Sequence, residues 1–353
     1  MSSLAAQDLF DSVHAAAGDM SLADVGEKRL LADFLLPLCR AVCGDHGLGD
    51  DAGVLSVRGD SDLVVTTDRA PSDLLARQFG LMSPMEFGSY LVRVNVSDLA
   101  AEGASPLGMV VTSAFKPDER LTYVIEVMWG IYVESYQLEC PVVGGDTKAA
   151  AAESISATAF GVVPTGMRVG RESVKPGMHV FLSGPVGHAG VALRWFKRNN
   201  EHRRSGVKAS AARDLDADLR EYLVRPRPRV DLASALCTSG CPCAMDITDG
   251  LGQSLLEIAQ SNGVDIELDY DRLAFYPTVC CAAEILGLDM HAVLGGIGLD
   301  LELIAIGDAI SMPQGFYDAG RVIAGGGSVG FSDGRIMPVA GYEHFSKEPC
   351  DFL

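Results

Sequence analysis

Positive charge is scarce in this sequence: 28 lysines and arginines face 47 aspartates and glutamates, a formal net charge of −19 over 353 residues. A surface of that sign repels nucleic acid and anionic lipid, so neither is expected as a partner. Long apolar runs are missing too, and nothing approaches the ~20 uninterrupted apolar residues that span a bilayer. The first twenty residues carry Asp8, Asp11 and Asp19 and lack the basic-then-apolar order of a signal peptide. The nine cysteines are odd in number and scattered, with no second CxxC and no histidine pair at zinc spacing. They read as reduced thiols in a cytoplasm. There is no GxxxxGK(S/T) loop, no protein-kinase signature set, and no Ser/His/Asp or Cys/His constellation.

What is present is a large potential core. The chain is 48% hydrophobic and only 21% charged, and its length favours two domains. Pro164, Gly166 and the Lys175-Pro176-Gly177 turn place a boundary that divides the chain into residues 1–165 and 166–353. In the first half, apolar spacing predicts an amphipathic helix over Glu27–Cys39 and further helices over Glu86–Glu102 and Leu121–Leu138. Strands are expected at Val54–Val57, Leu63–Thr67, Leu107–Phe115 and Ile155–Val163. In the second half, strands are expected at Val180–Ser183 and Leu299–Ile306, and helices at Val191–Lys197, Val230–Leu236 and Gln253–Gln260. The polar stretch Arg198–Arg220 reads as an insertion or an exposed helix. The class is α/β or α+β in two halves.

The chemistry-bearing feature is a set of acidic residues in turns beside glycines or small hydroxyls. These are Gly49-Asp50-Asp51, Thr66-Thr67-Asp68, Asn95-Val96-Ser97-Asp98, Gly144-Gly145-Asp146-Thr147 and Asp246-Ile247-Thr248-Asp249-Gly250. Each alone is an ordinary turn composition. Together they offer oxygen ligands of the kind Mg²⁺ takes, usually shared with substrate phosphates. Carboxylates that converged without a cation would repel one another.

In this order the motifs resemble the thiamine-monophosphate kinase family. That family lies within the superfamily of aminoimidazole ribonucleotide synthetase, selenophosphate synthetase and the hydrogenase-maturation protein HypE. The resemblance runs from about Gly26 to Phe345. Besides the acidic turns it is carried by Arg171 with Lys175-Pro176-Gly177, by Arg225-Pro226-Arg227-Pro228-Arg229, and by Gly341-Tyr342-Glu343-His344-Phe345. It implies a PurM-like two-domain fold, with an N-terminal α/β domain forming a dimeric β-barrel and a C-terminal α/β domain. It also implies a homodimer, ATP as co-substrate, several Mg²⁺ ions, and in-line transfer of the γ-phosphoryl group to a small-molecule phosphate acceptor. Carried over residue by residue, Asp50, Asp51, Asp68, Asp98, Asp246 and Asp249 are the implied metal ligands, with Thr67 and Thr248 as supporting hydroxyls. Gly144, Gly145, Asp146, Thr147, Lys148, Thr248 and Arg171 are implied to border the nucleotide. Asp98, Asp146 and Asp249 are implied to carry the catalysis.

The acceptor-side elements depart from the family. Thr67-Asp68 runs into Arg69-Ala70-Pro71-Ser72-Asp73 instead of Gly-Val-His-Phe. Lys148-Ala149-Ala150-Ala151 replaces Thr-Arg-Gly-Pro, and Gly187-His188-Ala189 replaces Gly-Asp-Ser. Gly295-Gly296-Ile297-Gly298-Leu299-Asp300-Leu301-Glu302 replaces Gly-Gly-Glu-Asp-Tyr-Glu. These departures keep two alternatives open: a synthetase that phosphorylates an amide or carboxylate oxygen in a specialised pathway, and a non-catalytic nucleotide-binding paralogue. His188 and the Arg225–Arg229 segment could each touch a phosphate or serve the fold alone. Gly325, Gly327 and Gly330 satisfy GxGxxG, but the following Phe331-Ser332-Asp333-Gly334 reads as a turn, not as the helix a dinucleotide site needs.

Overall fold

The computed structural model describes residues 53–56, 59–204 and 213–340, together with a few isolated positions before residue 53. Asp50, Asp51, Gly341–Phe345 and residues 205–212 of the polar stretch lie outside the described residues, as does nearly all of the expected Glu27–Cys39 helix.

The first sheet is built from β1 (Gly53–Ser56), β2 (Ser61–Ala70), β3 (Ser105–Phe115), β4 (Val142–Ala149) and β5 (Ser154–Pro164), in the order β1-β2-β5-β3-β4. All its pairs are antiparallel except β3–β4, which is parallel. Strand β2 alternates with period two. Asp62, Val64 and Thr66 are buried, whereas Thr67 and Arg69 are exposed. A short helix α1 (Leu75–Gln78) precedes the long helix α2 (Pro84–Ala101), and α3 (Leu121–Gln137) packs along α2. Phe87, Leu91 and Leu99 of α2 meet Met109, Val111, Ile155, Ala157 and Ala159 of the sheet. Each large apolar side chain buried this way contributes about 1.5–3 kcal/mol.

Local chemistry fixes where α2 begins. Ser83 is its N-cap and Pro84 its first residue, and Glu86 closes a capping box. The Ser83 N–H donates to Glu86 Oε2 at 2.9 Å, and the Glu86 N–H donates to Ser83 Oγ at 3.2 Å. Arg220 Nη2 then reaches both Glu86 oxygens, at 2.8 and 2.6 Å, from helix α5 (Arg213–Val224). Burial works against the Glu86 charge, but Arg220 and Ser83 hold its carboxyl below the ordinary glutamate range. Glu86→Gln is therefore expected to cost about 2 kcal/mol at neutral pH, since one substitution weakens both a cap and an ion pair. Because the folded pKa is depressed, that stabilisation is full above the ordinary range and is lost as the pH falls through the folded value. Thermal melts of both proteins from pH 7 to pH 3 should converge at the acid end.

The second sheet comprises β6 (His179–Leu182), β7 (Cys243–Asp246), β8 (Val264–Leu268), β9 (Leu303–Gly307), β10 (Tyr317–Ala324) and β11 (Val329–Phe331), ordered β11-β8-β10-β6-β9-β7. Helices α4 (His188–Arg204), α5, α6 (Ala233–Ser239), α7 (Leu251–Asn262), α8 (Pro277–Leu286) and α9 (Met290–Leu294) surround it. Its core holds Val180, Leu182, Ile247, Leu255, Ile258, Ile266, Ile304 and Ile306. Ala100 and Ala101 at the end of α2 share a buried cluster with Phe181, Ala244, Leu303 and Ala305. The C-terminal part of α2 is thus wedged against the second sheet, and the mixed α/β class is the one expected.

Two expectations are corrected. The Gly144-Gly145-Asp146-Thr147 turn is part of the edge strand β4, and the strand expected from Leu299 begins at Leu303. Leu301 sits at φ 51°, a left-handed conformation that interrupts extended backbone. The GxGxxG run spans the connection between β10 and β11 and ends inside β11. There Asp265 Oδ1 accepts the N–H groups of Gly326, Gly327 and Ser328 at 2.9, 3.0 and 2.8 Å. Those N–H groups, Ser328 foremost, hold the Asp265 carboxyl below its usual range. A carboxylate of the chain itself occupies the donors that a phosphate would need.

Candidate functional site

Strand β2 and helix α2 bring the first group of candidate residues together. The Asp68 N–H donates to Asn95 Oδ1 at 3.1 Å, and Thr66 Oγ1 donates to Asp98 Oδ2 at 2.6 Å. Asn95 is fully buried, and its Nδ2 donates to Leu91 O at 2.8 Å. Asp98 is only 9% exposed. The motif reading quotes Thr66 but gives the supporting hydroxyl to Thr67, whereas period-two alternation puts Thr66 and not Thr67 on the face of Asp68. Thr67 lies on the opposite face, where its Oγ1 donates to Ala157 O at 2.9 Å and accepts from Thr158 Oγ1 at 3.1 Å.

Strand β4 carries the second group. Gly145 pairs with Val111, and a Cβ there would lie 2.3 Å from the Val111 carbonyl oxygen, so the close approach of the strands requires glycine. Thr147 Oγ1 and Ser113 Oγ are 2.9 Å apart. Asp146 and Lys148 are exposed and joined by a 3.2 Å ion pair.

The third group lies where β7 runs into α7. Asp246 ends β7 at 1% exposure, and its carbonyl accepts from Ser254 Oγ at 3.2 Å. The turn Ile247–Gly250 is stitched to the segment before β9: the Ile247 N–H donates to Glu302 O at 2.9 Å and the Leu301 N–H to Ile247 O at 3.0 Å. Thr248 and Asp249 are half-buried in this turn. Gly250, at φ 107°, closes it against Gly296. Beside it is a small cleft lined by Gly187, Gly190, Gly250, Gly296, Gly298 and Asp300.

Around that cleft lies a buried polar network that motif reading did not assign. Asp300 accepts the N–H groups of Gly187 at 2.6 Å and Ala189 at 3.0 Å, and lies 3.3 Å from His188 Nδ1. His188 is 5% exposed, and its ring packs against Tyr222 and Tyr276. Arg229 Nη1 donates to Glu302 Oε2 and to Ser183 O, at 2.8 and 2.7 Å, and Ser183 Oγ donates to Glu302 as well. Burial raises the Glu302 carboxyl above the ordinary range in spite of these partners. Arg229 and His188, open between phosphate contact and fold, are thus engaged inside the protein. Arg171 is paired with Glu257 at 2.5 Å and fastens the preceding segment to α7.

The candidate metal residues are carboxylates and threonine hydroxyls, an oxygen-only donor set that fits a hard cation such as Mg²⁺. Among the described residues no three of them converge into a ready metal cluster.

Residues 49–163 match the family described as AIR synthase related protein, N-terminal domain. A thiamine-monophosphate kinase of Pyrococcus abyssi is 30% identical over 308 residues, covering 85% of this chain and 91% of that protein. One from Synechococcus elongatus is 27% identical over 257 residues, covering 70% of this chain and 72% of that protein. Among solved structures, AaThiL complexed with AMPPCP and TMP superposes with a TM-score of 0.78 at 24% identity, covering 93% of this chain and 99% of that one. This likeness establishes the fold.

Proposed function

This chain belongs to the thiamine-monophosphate kinase family, and on that premise we propose that it transfers the γ-phosphoryl group of ATP to the phosphate of thiamine monophosphate. The products are thiamine diphosphate and ADP. The observation that carries the reading is the convergence of Thr66, Asp68, Asn95 and Asp98 at the junction of β2 and α2, inside the segment that matches the AIR synthase related family.

In the proposed reaction an acceptor phosphate oxygen forms a bond to the γ-phosphorus while the bond to the β–γ bridging oxygen breaks. The attacking oxygen is already ionised, so no side-chain base is required. The chain's task is to position two anions in line and neutralise their charge. Asp68, Asp98, Asp246 and Asp249, with Asp50 and Asp51, are the residues proposed to hold Mg²⁺, with Thr248 in support; Thr67, whose hydroxyl lies on the other face of β2, is left out of the set. When bound, the cation supplies charge neutralisation of the transferring phosphates. Asp146, Gly144, Gly145, Thr147 and Lys148 are proposed to border the nucleotide, with Arg171 bracing the neighbouring segment. Residues 1–165 and 166–353 are proposed as the two domains flanking the cleft.

We also propose that the chain works as a homodimer. Leu121, Ile125, Trp129, Tyr132 and Tyr136 form an exposed apolar stripe along α3, and the edge strand β4 is exposed along nearly its whole length. Exposed apolar surface so arranged favours burial against a partner. No helix among the described residues is long and apolar enough to cross a membrane, and the six described cysteines are all free thiols, which supports a cytoplasmic setting. Light scattering should give twice the chain mass for the wild type, and Trp129→Asp should shift it toward the monomer.

The activity is tested by following ADP release with ATP and Mg²⁺ in the presence of thiamine monophosphate, of thiamine, or of neither. The proposal predicts turnover only with the monophosphate and only with Mg²⁺. Turnover that releases inorganic phosphate without a phosphorylated product would favour the synthetase reading instead.

A further inference from the structure

The turn that carries Thr248 and Asp249 takes its place from a neighbouring segment. Two main-chain hydrogen bonds tie it to residues 300–302: the Ile247 N–H donates to Glu302 O at 2.9 Å, and the Leu301 N–H donates to Ile247 O at 3.0 Å. Leu301 makes its bond from φ 51°. A left-handed leucine costs about 1–3 kcal/mol and persists only where its surroundings hold it.

The acids on either side do the holding. Asp300 accepts the N–H groups of Gly187 and Ala189, and Glu302 accepts from Arg229 Nη1 and Ser183 Oγ. Arg229 Nη1 also donates to Ser183 O, and Ser183 Oγ accepts the Leu303 N–H at 2.7 Å. The rest of the Arg229 guanidinium is engaged by Asp231, through Nε at 3.2 Å and Nη2 at 3.3 Å. The Glu302 carboxylate is packed so closely on the main chain that a Cβ at Gly184 would lie 2.5 Å from its Oε1. A buried ion pair of this kind adds little net stability, and what it supplies is a fixed position.

We propose that Glu302, anchored by Arg229 and Ser183, is a positioning residue for the divalent cation. It holds Leu301 left-handed, and the Leu301 N–H and Glu302 carbonyl then set the turn that presents Thr248 and Asp249. Without the anchor Leu301 relaxes toward the ordinary backbone region, its N–H leaves Ile247, and the turn loosens. The proposal rests on the metal assignment within the phosphotransferase reading and deepens it.

The test compares the wild type with Glu302→Gln, Arg229→Lys and a control, Glu86→Gln. The first keeps the size of the side chain but loses the charge that grips Arg229. The control weakens a similarly buried carboxylate–arginine pair at the start of α2. Mn²⁺ is the probe, and the electron paramagnetic resonance signal of the free ion reads its binding to the protein without turnover. Steady-state kinetics read the Mg²⁺ concentration for half-maximal activity, and thermal melts read stability. Glu302→Gln should weaken Mn²⁺ binding about tenfold or more, the loss typical of removing a group that orients a metal ligand. It should raise the Mg²⁺ requirement similarly, with kcat largely recovered at saturating Mg²⁺. Arg229→Lys keeps the charge but not the fork of donors, and should fall between. Glu86→Gln should melt lower yet bind Mn²⁺ as the wild type does. Unchanged Mn²⁺ affinity in Glu302→Gln, or an equal loss in Glu86→Gln, overturns the proposal. Should Glu302→Gln not fold, wild-type affinity in Arg229→Lys overturns it instead. Absence of Mn²⁺ binding by the wild type overturns it together with the metal assignment. If the wild type binds Mn²⁺ but transfers no phosphoryl group, the kinase reading fails, and the Mn²⁺ comparison still decides the role of Glu302.

Discussion

Asp98→Asn should abolish most phosphoryl transfer while leaving the protein folded, with kcat falling about 100-fold or more, because losing one anionic ligand of a catalytic cation removes several kcal/mol of charge stabilisation. The substitution keeps the size of the side chain. It also keeps an oxygen that can accept from Thr66 Oγ1, which now lies 2.6 Å from Asp98 Oδ2. Asp98 is almost fully buried, so replacing it with a neutral isostere also removes the burden of a desolvated charge. The melting temperature should therefore hold or rise slightly. Steady-state kinetics and a thermal melt on the same preparation check both halves. Full activity in Asp98→Asn would remove this residue from the proposed metal set.

Gly250→Ala should have the opposite signature, a large loss of stability. Gly250 sits at φ 107°, where L side chains are strained, and an added Cβ would lie 2.1 Å from the carbonyl oxygen of Gly296. Neither atom group can swing aside, because both are backbone. Conformational strain and steric overlap together should cost about 3 kcal/mol or more. The turn it closes carries Thr248 and Asp249 and is hydrogen-bonded to Leu301 and Glu302, so activity should fall with stability. Chemical denaturation of the variant checks the first part. A midpoint unchanged from the wild type would show that the turn relaxes freely.

Much of the fold was legible in the sequence wherever one periodicity dominated. The Ser83-Pro84-Met85-Glu86 start of α2 is a capping box with proline at the first position, and the helix follows within two residues of its expected start. Strand β5 shows clean period-two alternation and was expected within a residue or so of its observed ends. Strand β4 was not legible, because glycines and an aspartate are turn formers by propensity. What makes them a strand is pairing with β3, a tertiary effect absent from the local sequence.

The site divides in the same way. The acidic motifs name residues but do not say which of them share a face. Thr66 joins Asp98 and Thr67 does not, since adjacent strand residues point to opposite sides. The Asp300–Glu302 network could not be read from motifs, because its partners are 70 to 120 residues away in sequence: Gly187, Ser183 and Arg229. Leu301, held at φ 51° between the two acids, lets both side chains be used in one place. A left-handed leucine carries no composition signal.

The most direct test of the account is ³¹P NMR of the purified protein with ATP, Mg²⁺ and thiamine monophosphate. The account predicts loss of the monophosphate signal with matched appearance of ADP and of a new diphosphate pair. Consumption of ATP to inorganic phosphate with the monophosphate signal unchanged, or no consumption of ATP at all, would contradict it.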